Sequence, residues 1–128
     1  MKAYIDLDFK EAGSLAEMAG RRIYAFCGIA HPENFFSGLE ENGLVIAGRR
    51  AFRDHHRYDG DDMAGLYRAA RKAGAAYLLC TEKDLVKISS VLQKNEKNPP
   101  LFAVRLMLEM ENVQTFWKEL SDRIDNII

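Results

Sequence analysis

Hydrophobic and polar positions alternate along this chain in two distinct rhythms. Ile23 to Ile29 is an unbroken apolar run apart from Gly28, which predicts a strand buried on both faces. Phe35, Phe36 and Leu39 then fall on one helical face, with Pro32 suited to the first turn and Gly43 to a left-handed stop. Leu44–Ala47 reads as a second strand. Met63, Leu66, Tyr67 and Ala70 form the next helical stripe, with Asp61 as its N-cap, Asp62 near the positive helix end, and Gly74 as its stop. Ala76–Thr81 is a third strand. Glu82–Lys87 reads as a charged loop, although Thr81-Glu82-Lys83-Asp84 also has the form of a capped helix start, and a short helix is expected over Ser89–Gln93.

The polar connection Lys94–Pro100 ends in two prolines that no helix or central strand tolerates. Beyond it, Phe102, Val104, Leu106 and Leu108 alternate as a fourth core strand, and Asn112 caps a last helix with the face Val113, Phe116, Trp117, Leu120, Ile124 and Ile127. At the other end, Tyr4-Ile5-Asp6-Leu7-Asp8-Phe9 alternates apolar and acidic residues as a half-exposed strand. Strands separated by short helices predict an α/β fold: a three-layer α/β/α sandwich on a mostly parallel sheet of four to five strands. Residues 1–19 read as a linker or edge strand leading into an α/β domain over 20–128.

At 128 residues the chain is sized for one domain with a real core. A net charge of −1 gives no electrostatic case for nucleic acid. No apolar run approaches the roughly 20 residues of a bilayer span. Met1-Lys2-Ala3-Tyr4-Ile5-Asp6 carries an acid where a signal peptide needs apolar residues, so a cytoplasmic location is expected. Cys27 and Cys80 lie in apolar runs without a C-x-x-C spacing, and read as small buried thiols.

Candidate chemistry concentrates in the loops that follow the strands, which a parallel sheet gathers on one edge. Two of the three histidines stand in Asp54-His55-His56. A histidine beside a carboxylate suits proton transfer near neutral pH, and Asp with His also suits a divalent metal; a solvated loop whose Asp caps the next turn is the plain alternative. Gly28 and the helix start at Pro32 suit either an anion or a simple strand-to-helix turn, with His31 as a loop or cap residue. Lys83 and Lys87 flank Asp84 on one side of a helical turn, either to hold phosphate oxygens or to form surface ion pairs. Asp6 and Asp8 alternate on a strand, which suits a metal or a solvent-facing edge. No G-x-x-x-x-G-K-[ST] loop is present, so this sequence cannot hold a nucleoside triphosphate by that device.

Taken together, these loops resemble a known family. Ile23-Tyr24-Ala25-Phe26-Cys27-Gly28-Ile29-Ala30-His31-Pro32-Glu33-Asn34-Phe35-Phe36 resembles the segment "v-AfcGIa-P-xFf" of tetraacyldisaccharide 4'-kinases, the lipid A kinases of Gram-negative envelopes. Phe52-Arg53-Asp54-His55-His56-Arg57-Tyr58 is similar to that family's "F-x-DHh-y", and Thr81-Glu82-Lys83-Asp84-Leu85-Val86-Lys87 to its "TEKDavK". The resemblance runs through residues 20–88 and, more loosely, 101–128.

The resemblance implies the smaller, C-terminal domain of a two-domain enzyme that moves the ATP γ-phosphoryl group to the 4'-hydroxyl of tetraacyldisaccharide 1-phosphate, with Mg2+, at the inner membrane surface. The partners implied are the P-loop N-terminal domain of the same kinase and the lipid A precursor disaccharide. His55 falls on the family's catalytic histidine, which works with an aspartate of the first domain, and Asp54 on the aspartate of the same motif. His56, Lys83, Asp84, Gly28 and His31 are then expected around the substrate or nucleotide cleft, with no metal held by this chain. ATP and Mg2+ are expected in the complete enzyme and neither on this chain alone, which is expected to be a catalytically silent part. A small metal-dependent phosphoesterase-like domain using Asp54-His55-His56 is the alternative, and a non-catalytic partner-binding domain a third reading.

Overall fold

The computed structural model describes residues 3–92 and 98–105. The side chains of strand β3 (Arg22–Cys27) alternate between two cores. Ile23, Ala25 and Cys27 pack with Phe35, Phe36 and Leu39 of helix α1 (Pro32–Glu41). Tyr24 and Phe26 pack on the opposite side with Met63, Leu66, Tyr67 and Ala70 of helix α2 (Gly60–Lys72). Strand β5 (Tyr77–Thr81) divides in the same way, Leu79 joining the first core and Leu78 and Cys80 the second. Helix α3 (Glu82–Ile88) adds Leu85 and Ile88 to the second core. These are the three layers that the apolar rhythm predicts.

With β1 (Ala3–Ile5), β2 (Glu11–Ser14), β4 (Val45–Ala51) and β6 (Leu101–Arg105), the sheet has six strands in the order β2-β1-β6-β5-β3-β4. This exceeds the four to five expected. Strands β3 to β6 are mutually parallel, and β1 runs antiparallel to both of its neighbours. The extra strand is β2, whose Glu11-Ala12-Gly13-Ser14 has no apolar alternation to announce it. It forms because β1 offers it a free edge. Residues 3–14 therefore enter the sheet as a hairpin, and β1 lies between β2 and β6 instead of at the edge.

Local chemistry explains the other departures. Asp6 and Asp8 do not share a strand face: Asp6 sits in the hairpin turn, where its Oδ1 accepts from the amides of Asp8 (2.9 Å) and Lys10 (3.0 Å). The N-cap of α2 is Asp59, not Asp61, because Asp59 closes a reciprocal capping box with Asp62. Glu82–Ile88 is helix and not loop. The capped start at Thr81 prevails there, and the helix expected over Ser89–Gln93 does not form over its described residues 89–92. Strand β4 runs on through Gly48-Arg49-Arg50-Ala51 past the apolar positions, since an edge strand needs only one buried side. Leu106, Leu108 and the helix expected from Asn112 lie outside the described residues.

Both cysteines are fully buried and free. Burial, reinforced by the Asp84 charge, pushes the Cys27 thiol up to about 12 and raises Cys80 as well. A thiol so protonated is a poor nucleophile. Neither cysteine should react with a water-soluble disulfide reagent near pH 8 in the native chain, and both should react once urea unfolds it. Rapid stoichiometric labelling without denaturant would contradict this packing.

Candidate functional site

In an open parallel sheet, a crevice opens at the strand C-termini where successive connections leave toward opposite faces. Here that point lies between β3, which leads to α1 on one face, and β5, which leads to α3 on the other. The side chain of Asp84 occupies it. Asp84 is fully buried. Its Oδ1 accepts from the Gly28 amide (3.0 Å) and the Tyr58 hydroxyl (3.0 Å), and its Oδ2 from the Thr81 hydroxyl (2.6 Å). The Thr81 Oγ1 in turn accepts from the Asp84 amide (3.1 Å), which caps α3. One carboxylate thus joins the ends of β3 and β5 to the loop that follows β4. Burial, with the adjoining Asp84 charge, raises the Tyr58 hydroxyl far above its ordinary range and keeps it a donor.

Gly28 is where the backbones meet. A Cβ there would lie 3.0 Å from the Arg53 carbonyl, 3.2 Å from the Tyr58 hydroxyl and 3.4 Å from Asp84 Oδ1. The loop after β4 starts with the Phe52 amide on the Cys27 carbonyl (2.8 Å) and turns at once, the His56 amide donating to the Arg53 carbonyl (3.0 Å). Asp54 and His55 are the corners of this turn. His55 has φ +64°, the left-handed value that a type II turn demands at its third position and that glycine usually supplies. A β-carbon in that conformation is strained.

The paired histidines have opposite environments. The His55 side chain is 75% exposed, its Nε2 3.6 Å from Asp54 Oδ2, while Asp54 Oδ1 lies 3.7 Å from the Lys83 ammonium. These are ion-pair distances and not hydrogen bonds. His56 is tucked inward. It stacks on Phe52 at 4.5 Å, meets Tyr58 edge-on at 4.9 Å, and its Nε2 contacts Asp62 Oδ2 at 2.9 Å. Burial pushes the Asp62 carboxyl upward, but the His56 and Asp59 hydrogen bonds outweigh it and leave the net shift downward. His56 therefore pins the loop to the start of α2, and His55 faces out.

Of the expected site residues, Asp54, His55 and Lys83 form the outer group; Gly28, His56 and Asp84 stand behind it. His31 is exposed at the N-cap of α1 without a side-chain cap bond, and among the described residues no hydrogen bond or ion pair joins it to the Asp54 group. The two lysines of α3 diverge: Lys83 is exposed beside Asp54, whereas the Lys87 ammonium is buried without a hydrogen-bond partner among the described residues. Among the described residues no three His, Cys, Asp or Glu side chains gather as a metal site. Asp6, held by its own turn, is not brought to the histidines. Sequence reasoning missed Tyr58 as the donor to Asp84 and Thr81 as its second support. Their only signal was a place in the motifs around the histidines and around Asp84.

The arrangement can accept a proton at His55 from a group brought to it, with Asp54 stabilising the imidazolium and Lys83 holding Asp54. It does not enclose a substrate. Two cavities lie elsewhere, one of about 200 Å3 against α2 near Arg68 and Arg71, another of about 500 Å3 between the β1–β2 turn and Leu92.

The family model for tetraacyldisaccharide-1-P 4'-kinase matches residues 2–125. The chain belongs to that family. A tetraacyldisaccharide 4'-kinase of Anaeromyxobacter sp. (strain K) is 42% identical over 90 residues, which is 70% of this chain and 24% of the relative. That of Rhodopseudomonas palustris (strain BisA53) is 43% identical over 94 residues, 73% of this chain and 27% of the relative. That of Methylobacterium nodulans is 47% identical over 78 residues, 61% and 23% respectively. The chain thus spans about a quarter of the length of the tetraacyldisaccharide 4'-kinases it matches. No solved structure matches it.

Two outcomes follow for this kinase-family loop. His55→Gly should be more stable than His55→Ala by about 1 kcal/mol in urea unfolding, because alanine keeps the strained β-carbon and glycine does not. Equal midpoints would remove the claim of strain. Asp62→Asn should cost about 1 kcal/mol at neutral pH by weakening the α2 cap. A carboxyl lowered in the folded state stabilises above its unfolded pKa and loses that contribution as pH falls through the folded value. The gap between wild type and Asp62→Asn should therefore shrink below the ordinary value of 3.8. A gap constant from pH 7 to pH 2.5 would contradict the assignment.

Proposed function

We propose that this chain is the C-terminal domain of a tetraacyldisaccharide 4'-kinase, and that it presents His55 across an interdomain cleft to the 4'-hydroxyl of tetraacyldisaccharide 1-phosphate. The observation that carries this reading is the strained, outward His55 on a chain whose matches cover about a quarter of full-length kinases. A side chain so exposed cannot exclude water alone, and a second domain closing on it supplies the missing wall.

Phosphoryl transfer depends on positioning and charge neutralisation, which Mg2+ with ATP brings when bound. The sequence has no G-x-x-x-x-G-K-[ST] loop to cradle the nucleotide phosphates. In this reading the nucleotide and metal belong to the P-loop domain. His55 takes the hydroxyl proton on the ring nitrogen turned away from Asp54. Asp54 stabilises the resulting imidazolium, and Lys83 keeps the Asp54 carboxylate in place. His31 stands at the rim of the same edge. Among the described residues no helix is long and apolar enough to cross a membrane. In this reading, contact with the inner membrane surface, from the cytoplasmic side, belongs to the complete enzyme, and activity of this chain alone is not expected.

The test is a full-length chimera in which this chain replaces the matching segment of the Anaeromyxobacter kinase. It should transfer labelled phosphate from Mg-ATP to the tetraacyldisaccharide 1-phosphate, and His55→Ala should lower its kcat by roughly 10² or more. This chain by itself should be silent. Normal turnover by the His55→Ala chimera would overturn the role of His55, and transfer by the unpartnered chain would overturn the domain reading.

A further inference from the structure

We propose that Asp84 is a positioning residue: its carboxylate fills the switch-point crevice as a built-in anion and, through Tyr58 and Gly28, holds the turn that presents His55. The role in turnover rests on the function proposed above; the role in shaping the turn does not.

The argument starts from where the crevice lies. A doubly wound sheet offers its backbone donors to a ligand at the point where connections diverge. In this chain the Gly28 amide points there and is already taken by Asp84 at 3.0 Å. The carboxylate is buried in full, and hydrogen bonds from three separate connections meet it. The groups that meet it, one amide and two hydroxyls, can all donate to a carboxylate. No room is left for a ligand anion at that amide, so the crevice serves to fix its own loops.

The path from Asp84 to His55 is short and made of contacts. Tyr58 donates to Asp84 and closes the far end of the loop. The Arg53 carbonyl rests against Gly28, so the near end is fixed by the same glycine whose amide Asp84 holds. The amide of His56 returns to that carbonyl and folds the turn. With both ends held, Asp54 and His55 are forced to the corners, and His55 stays left-handed. On the outer side, Asp54 pairs with His55 and Lys83, and Lys83 is the residue before Asp84 on α3. Asp84 thus reaches the outer group from two directions.

The experiment uses Tyr58→Phe, Asp84→Asn, Thr81→Ser and Thr81→Val in the full chain and in the chimera. In the full chain, amide exchange and backbone chemical shifts read the turn without any activity. Tyr58→Phe removes one hydroxyl and keeps the ring. It should speed exchange at His56 by about tenfold and shift the amides of 53–57, as loss of one buried hydrogen bond to a charge implies. Thr81→Ser keeps the hydroxyl and should leave these signals as in wild type, whereas Thr81→Val should move them. In the chimera, Tyr58→Phe should lower kcat about tenfold or more with KM for ATP unchanged, the pattern of a misplaced reacting group. Should Asp84→Asn fail to fold, Tyr58→Phe and the Thr81 pair decide the matter. A Tyr58→Phe chain that is merely easier to unfold, with the 53–57 signals and kcat unchanged, overturns the proposal. An inactive chimera would count against the kinase reading alone, because the exchange measurements judge the turn independently.

Discussion

A buried carboxylate is costly unless every lone pair facing the interior finds a donor, and Asp84 is the place where this fold meets that demand. Its donors come from the end of β3, the loop after β4 and the end of β5. Any slip in one connection would strand a charge among apolar side chains. The cost is asymmetric: losing one partner exposes the remaining group to a penalty of about 1–3 kcal/mol or more, well above the net gain of an ordinary hydrogen bond. Strand order brings the three connections together, and Asp84 fixes their relative placement to within hydrogen-bond tolerance. Gly28 is the complement of this device, since a β-carbon there would press tightly on both the loop carbonyl and the carboxylate's donor.

The same constraint gives two adjacent histidines opposite surroundings. A tight turn sends neighbouring side chains apart, so His56 can stack on Phe52 and reach Asp62 while His55 faces solvent. The inner histidine joins the turn to the α2 cap, where Asp62 already serves the capping box. The outer one carries the backbone strain. Its weak partners suit a proton acceptor, since a histidine locked into a short hydrogen bond would have no free geometry to offer a substrate hydroxyl.

The apolar rhythm made the layers legible before the structure did. Ile23–Cys27, the stripe Phe35-Phe36-Leu39 and the stripe Met63-Leu66-Tyr67-Ala70 are buried as their periods require. What the rhythm misread were elements decided by polar local chemistry. The rhythm put the α2 cap at Asp61, and the reciprocal bond between Asp59 and Asp62 sets it two residues earlier, at Asp59. Asp6 looks like a strand residue until its carboxylate is seen closing a hairpin on two amides. Strand β2 has no pattern at all, because an edge strand can form by pairing with its neighbour while burying almost nothing. At the site, the histidine motif could not say which histidine faces out. That depends on the left-handed backbone at His55, for which sequence offers a signal only when glycine is present.

The burial of Asp84 also bears on how the domain works with a neighbour. If the switch-point crevice took a phosphate, this edge would need a free amide and an open concavity. Instead the amide is occupied, the crevice is filled, and the groups left for chemistry stand outward on a turn and on the first turn of α3. Surface pairs such as Asp54–Lys83 contribute little in water and gain strength as water is excluded. In the proposed kinase, closure of the P-loop domain is the event that excludes it. The Asp54–His55 pair then becomes effective only when nucleotide, sugar and both domains are together, and a base held on a rigid turn arrives in place without further ordering. Under the proposed function, a filled crevice and an exposed histidine are two sides of one arrangement, in which this domain would supply a fixed group and leave the binding of phosphates to the P-loop domain.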